Sequence, residues 1–358
     1  MFSLIQLLGI EFSQRHNRLY DINSFLLILF QMIDDTGTAN TAAARLAMRY
    51  LGTGIRIPSS RWFRSEVAGL ESDAVESRCR MMMDDVLKWA KKRRVLKNKY
   101  QTLIMDLHLR PRYDKELTEG MVKSKGTKGT TKYEGYATAQ LVGPPNLHVG
   151  CHPLSKGFKI IDSVRKLLAD ASRNGIKVGL LLVDRGFFSV EVITELQMLK
   201  IRFLMPAVKT PGIKRAIEEF IDKKRKAVSK YTMTSRDGKK VTFTLVIVRK
   251  NEGEDGTDSK DLTMHYMVFA ISGEKRIRMA IESIPEEYRQ RWVIETGYRV
   301  IEESTGRTTS TKPSYRLFLF FIGLVNANLW IIARFIYGKN TDSDDEITMS
   351  IFLLWHAV

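Results

Sequence analysis

Residues 283–304, SIPEEYRQRWVIETGYRVIEES, decide how this chain is read. The spacing predicts one helix. Ser283 stands where an N-cap belongs, Glu286 follows at capping-box distance, and Pro285 falls in the first turn, where its missing N–H costs nothing. Tyr288, Arg291, Glu295 and Glu302 recur at steps of three, four and seven and so share one face, while Trp292 and Ile294 look toward neighbouring faces that can enter a core. A charged face alone reads equally as a solvated surface. Two further carboxylates favour a site. Asp106 closes the apolar run YQTLIMD (100–106), and Asp184 closes VGLLLVD (178–184). Strand ends are where sites gather in α/β folds.

The chain has 358 residues, enough for two or three domains around a well-buried core, and 44% hydrophobic with 27% charged residues is a globular balance. The formal charge of +17 points to a polyanionic partner, of which nucleic acid is the commonest. Cysteine occurs only as Cys79 and Cys151, which excludes a disulfide scaffold and leads us to expect a reducing, cytoplasmic (nucleoid-associated) setting. The apolar first residues lack the basic region and cleavage site of a secretory signal. Residues 317–337, LFLFFIGLVNANLWIIARFIY, are long enough to span a membrane. Asn326, Asn328 and Arg334 within them are costly in lipid, so a buried helix and no membrane are expected.

Residues 1–98 read as helical. TANTAAARLAMRYL (38–51) and SSRWFRSEVAGL (59–70) flank Gly52 and Gly54 and fit either a helix-turn-helix, with Arg61 and Arg64 placed for DNA contacts, or an ordinary helical hairpin. The run KWAKKRRVLKNK (88–99) offers Lys91, Lys92, Arg93 and Arg94 as a phosphate-binding face. From Tyr100 the pattern turns to strands. LHLRPRYDKE (107–116) reads as a loop, and GMVKSKGTKGTTK (120–132) as a flexible basic loop without Walker spacing. Residues 133–152 carry two strands, and 158–173 an amphipathic helix. VGLLLVD is a strand covered on both faces, and helix, strand and helix follow it. KYTMTSRDGKKVTFTLVIVRK (230–250) is a hairpin about Asp237-Gly238, and LTMHYMVFAIS (262–272) adds a strand.

This order places one carboxylate on the first strand, one after the fourth and one on a late helix, the arrangement of a ribonuclease-H-like nucleotidyl-transfer core. The expected fold is α/β. A helical DNA-binding region spans 1–98, and the first part of the ribonuclease-H-like core spans 99–228. A β-strand insertion follows at 229–275. The core is completed by the Glu-bearing helix and a buried helix at 276–337, and a tail runs over 338–358. Hard divalent ions take oxygen ligands, and two of them can activate an attacking oxygen and steady a leaving one.

Tyr288, two residues, Arg291, three residues and Glu295 match the signature of the DDE insertion-sequence transposases known as Y-R-E-K. The chain resembles that superfamily over roughly residues 100–336. VDRGFFS (183–189), GRTTSTKPSYRLFLF (306–320) and DLHLRPRY (106–113) resemble an archaeal branch of it. Glu302 stands where the signature has lysine. The resemblance implies that Asp106, Asp184 and Glu295 are catalytic and bind two Mg²⁺ ions, with Mn²⁺ as a substitute. It implies that Tyr288 and Arg291 hold transposon-end DNA. It further implies hydrolysis at the element's end, attack of the freed 3′-OH on target double-stranded DNA, and a homodimer joining two ends. Glu302 and Glu303 remain rivals for the third ligand. A catalytically decayed DNA-binding remnant and a nuclease without strand transfer remain rival functions. His148-x-x-Cys151-His152 has no second ligand pair at zinc spacing.

Overall fold

The computed structural model describes residues 20–96, 99–127, 129–251, 259–272 and 280–340. The chain's first 19 residues and the expected tail beyond Asn340 lie outside them. Helices α1 (Ile22–Asp34), α2 (Ala39–Arg49), α3 (Ser60–Ala68) and α4 (Ser72–Lys92) come first. The first three have side-chain caps of the expected kind. Asp21 accepts from the Ser24 N–H, Thr38 forms a capping box with Thr41, and Ser59 accepts from the Trp62 N–H. Residues 50–59 separate α2 from α3, with Gly52 and Gly54 at φ +81° and +76°. A helix-turn-helix needs a turn of three or four residues, so this pair does not form one.

A mixed sheet of nine strands follows among the described residues. Its strands are β1 (Tyr100–Arg112), β2 (Met121–Thr127), β3 (Thr130–Val142), β4 (His148–Pro153), β5 (Lys177–Val183), β6 (Phe203–Pro206), β7 (Val228–Thr234), β8 (Lys240–Arg249) and β9 (Tyr266–Ile271). The order across the sheet is β2-β3-β1-β5-β6-β9-β8-β7, with β4 also on β3. β1, β5 and β6 run parallel, and the remaining pairs are antiparallel. Strands β7–β9 therefore extend the central sheet, because β9 pairs directly with β6. The hairpin at Asp237-Gly238 forms as its sequence predicts, with Gly238 at φ +82°.

Two loops expected from the sequence are strands. β1 loses β5 as a partner after Met105 but keeps β3 as far as Arg112, so it runs on through His108 and Arg110, and Asp106 is mid-strand. The glycine- and lysine-rich stretch after Gly120 forms β2, which is held to β3 through Met121, Val122 and Lys123. Met121 and Val122 are buried, and those two apolar positions are enough to seat it.

Helix α5 (Ile160–Arg173) leads from β4 into β5, α6 (Val190–Met198) joins β5 to β6, and α7 (Pro211–Ile221) leads from β6 to β7. α5 buries Val164, Leu167, Leu168 and Ala171, the i, i+3, i+4, i+7 stripe that its sequence predicts. The chain returns through α8 (Ile284–Arg289), α9 (Val293–Glu303) and α10 (Pro313–Asn340). α10 joins the N-terminal helices to the sheet. Phe25 stacks on Phe63 at 4.5 Å and meets Phe318 edge-on at 6.1 Å, while Phe63 meets Tyr315 at 6.4 Å. One continuous apolar core contains residues of both regions.

Pro313–Ile336 is long and apolar enough to cross a bilayer by length and composition, and most of its apolar window is buried in the protein. Its central polar residue has an internal partner. Asn328 accepts from the His148 N–H and donates to the His148 carbonyl, each at 2.8 Å. It therefore pairs with β4 as a neighbouring strand would.

The histidines and cysteine of β4 do not gather as a metal site. His152 is clamped between Glu76 of α4 at 3.0 Å and Asp170 of α5 at 2.7 Å. Burial opposes its charge, but the bonds from Asp170 and Glu76 outweigh burial and raise its pKa. Burial pushes the His148 pKa down to about 3 and the Cys151 thiol upward.

Asn328→Leu removes both partners of the His148 backbone while keeping the volume. Each orphaned buried group costs about 1–3 kcal/mol. A loss of about 3 kcal/mol in urea unfolding is expected, and an unchanged midpoint would show that the pairing contributes nothing.

Candidate active site

β1 and β5 lie side by side, and the register pairs Met105 with Val183. The next residue on each strand is a carboxylate, Asp106 or Asp184. Two adjacent parallel strands thus deliver two acids to one end of their shared ladder. Asp184 ends its strand and caps a short 3₁₀ turn (Arg185–Phe187), its Oδ1 accepting from the Gly186 N–H at 2.8 Å. A Cβ at residue 186 would stand 2.9 Å from that oxygen, so the Asp-Arg-Gly phrase has a steric basis.

The single helix expected over 283–304 is broken. A 3₁₀ turn (Gln290–Trp292) separates α8 from α9. Ser283 does not cap, because its hydroxyl donates back to the Ala280 carbonyl. The backbone stays right-handed helical through the break, so Arg291 and Glu295 still face the sheet end. Arg291 Nη1 lies 3.4 Å from Asp106 Oδ2, and Nη2 donates to Glu295 Oε1 at 2.9 Å. Its guanidinium also lies 5.9 Å from the Tyr288 ring, and Tyr288 packs on Phe269 of β9 at 5.6 Å. Burial pushes the Tyr288 hydroxyl up to about 12. Trp292, beside Arg291, is 64% exposed.

Asp106 is the electrostatic centre. Burial pushes its pKa up to about 6, against the pull of Arg291 and of the Leu107 N–H at 2.9 Å, and the charges of Asp184 and Glu295 push it further. Asp106 therefore feels both of the other acids, and Arg291 is the counter-charge that it shares with Glu295. Their oxygens are the donors that a hard divalent cation takes. Among the described residues no three acidic, histidine or cysteine side chains stand grouped closely enough to hold an ion as they are. Arg291 spans the interval between Asp106 and Glu295.

Two supporting residues were not legible as such in the sequence. Gly297 lets α9 approach β3, since a Cβ there would stand 2.5 Å from Gln140 Oε1. Tyr298 shares a 2.6 Å hydrogen bond with Thr138, and its ring lies 4.3 Å from that of His108. A glycine inside a helical pattern, and a tyrosine three residues after the candidate acid, were the available signals. Glu302 Oε1 reaches to 3.8 Å from His108 Nε2.

The structure separates the proposed DNA-contacting residues. Arg61 and Arg64 are exposed on α3, whose Ala68 carbonyl accepts from Lys312 just before α10. Lys91, Lys92, Arg93 and Arg94 are exposed at the end of α4 and the turn after it. Lys91 neighbours Gly175, which precedes β5, so this cluster lies by the other end of the parallel ladder. Six residues of β1 separate Tyr100 from Asp106, about 20 Å.

Asp106→Asn removes a charge that the fold disfavours. The folded pKa lies above the unfolded value near 3.8, so wild type loses stability relative to the variant as pH rises from about 4 to 6. Above pH 6 the variant should be more stable by about 2 kcal/mol, with no difference below pH 4. Melts in chelator from pH 4 to 8 check this, and a pH-independent difference would remove the electrostatic account. Gly297→Ala should cost about 1–3 kcal/mol, because the Gln140 amide must leave the Asn146 carbonyl it donates to at 2.9 Å. Denaturant unfolding at wild-type stability would show that α9 has slack over β3.

Residues 159–331 match the family model for the transposase DDE domain. The matched stretch includes Asp184, Tyr288, Arg291 and Glu295 and begins after Asp106. No curated protein matches the chain. The sheet of mixed direction with helices packed on it is compatible with a DDE transposase fold, and the domain match supports a DDE transposase.

Proposed function

We propose that this chain is a DNA transposase of the DDE type, with Asp106, Asp184 and Glu295 as its catalytic carboxylates on a ribonuclease-H-like core. The observation that carries the reading is the convergence on Arg291. The Arg291 guanidinium joins the carboxylates of β1 and α9, and the carboxylate at the end of β5 acts on the first of these, within a chain whose residues 159–331 match a transposase DDE domain. The excess charge of +17 fits a polyanionic substrate, double-stranded DNA, gathered from solution by its phosphates.

Asp106, Asp184 and Glu295 would hold divalent ions, Mg²⁺ or Mn²⁺, which supply activation of the attacking oxygen and stabilisation of the leaving one. The protein's own residues do the remaining work. β1 and β5 fix two acids rigidly, and α9 brings the third. Arg291 offsets the charges of Asp106 and Glu295 before substrate arrives. Released from them, it is a fork suited to a phosphate. Tyr288 holds Arg291 from the side and is buried enough to stay protonated. The reaction is hydrolysis of a phosphodiester at the element's end, then attack of the freed 3′-OH on target DNA. Joining two ends calls for a homodimer. Arg61, Arg64 and the Lys91–Arg94 cluster would contact duplex away from the acids.

The test is strand cleavage of labelled DNA carrying the element's own ends. Wild type should release a 3′-OH only with Mg²⁺ or Mn²⁺, and Asp184→Ala should bind equally and cut at least 1000-fold more slowly, on the order expected when a metal ligand is lost. Binding without cutting by both proteins would leave a DNA-binding remnant as the better account.

A further inference from the structure

Beside the acids, a cavity of about 360 Å³ opens between the far half of β1 and the first turn of α10. Its lining includes Arg110, Arg112, Glu134, Glu302 and Arg316. Arg316 is the unusual member, a guanidinium only 4% exposed. Its Nη2 donates to the Thr311 carbonyl at 2.7 Å. Its Nε lies 3.8 Å from Glu134 Oε2, beyond a hydrogen bond, and neither Nε nor Nη1 has an acceptor among the described residues. The other oxygen of Glu134 is taken by the Tyr136 hydroxyl.

A buried cation with two unused donors is costly unless an anion completes it. Burial draws the Arg316 pKa below its ordinary value. Arg110 adds a second charge: it faces Glu134 across the β1–β3 ladder, and its side chain makes no hydrogen bond or ion pair among the described residues. Arg112 is already paired with Asp114, at 2.8 and 3.2 Å. Three guanidinium groups thus stand against the carboxylates of Glu134 and Glu302 in the wall, so positive charge is in excess around the cavity.

We propose that this cavity is a subsite for a backbone phosphate of the DNA strand, held by Arg316 and Arg110. Asp106 and Arg110 lie on one face of β1, four residues and about 13 Å apart. A strand with one phosphate in the cavity can therefore present a phosphodiester a few nucleotides away to Asp106. Glu302 lies between the two, against His108, and repels that strand. The proposal rests on DNA being the substrate and does not depend on cleavage.

The experiment measures binding of the full chain to a mixed-sequence duplex of about 30 base pairs between 50 and 200 mM salt. Removing one cation that neutralises a phosphate reduces the slope of log affinity against log salt by about 1. Arg110→Gln and Arg316→Met should each show that reduction and bind roughly tenfold more weakly. Glu302→Lys should steepen the slope by about 1 and bind more tightly. Arg316 is buried in the fold, so Arg110→Gln and Glu302→Lys, both at partly exposed positions, decide the matter. Wild-type slopes in both, with wild-type melting, would overturn the subsite. A wild type that binds duplex yet never cuts removes the transposase reading and leaves the subsite to be judged by the slopes.

Discussion

The bond of Arg291 to both Asp106 and Glu295 is the constraint on which the rest of the architecture depends. Like charges brought together in a partly buried site repel one another at a cost in free energy. A fold that gathers Asp106, Asp184 and Glu295 must meet that cost in every molecule without bound ions. Arg291 meets part of it, while burial first and the two neighbouring acids second raise the Asp106 pKa to about 6. Strongly shifted carboxylates cluster at functional sites.

Holding α9 at the correct height over the sheet falls to polar contacts as much as to apolar packing. The absent side chain of Gly297 admits Gln140, and Tyr298 bonds Thr138. Behind α9, the Thr305 hydroxyl bonds the Ile301 carbonyl and stands where Gly323 of α10 leaves room. α10 is in turn fastened to β4 by Asn328. These contacts have direction, which dispersion lacks, and so they fix the rotation of a helix as well as its distance from the sheet.

Much of this was legible in the sequence because the signals are local. The continuous apolar run before Asp184, the stripe of α5 and the Asp237-Gly238 turn each need only their neighbours to be understood. The pairing of Tyr288, Arg291 and Glu295 on one face survived even though their helix is interrupted at Gln290–Trp292, since the interruption keeps the helical sense. What failed depends on distant partners. The loop expected after Asp106 is a strand because β3 extends beside it, and the glycine-rich stretch after Gly120 is a strand for the same reason. The helix-turn-helix failed because Gly52 and Gly54 open a longer connection than the pattern requires. The cavity around Arg316 was invisible because its walls come from β1, β3, α10 and the end of α9.

The bond between Arg291 and Asp106 closes a loop of 185 positions. At ribosomal speeds of about 5–20 residues per second, roughly 10–40 seconds pass between the synthesis of its two ends. During that interval β1 and β5 can already pair and bring Asp106 beside Asp184, while the third acid and its arginine do not yet exist. A polypeptide released early, by a premature stop or by protease, therefore has at most two of the three acids. Under the proposed function, the chain order that makes the site late to assemble also leaves such incomplete products without a full set of acids for cleaving DNA.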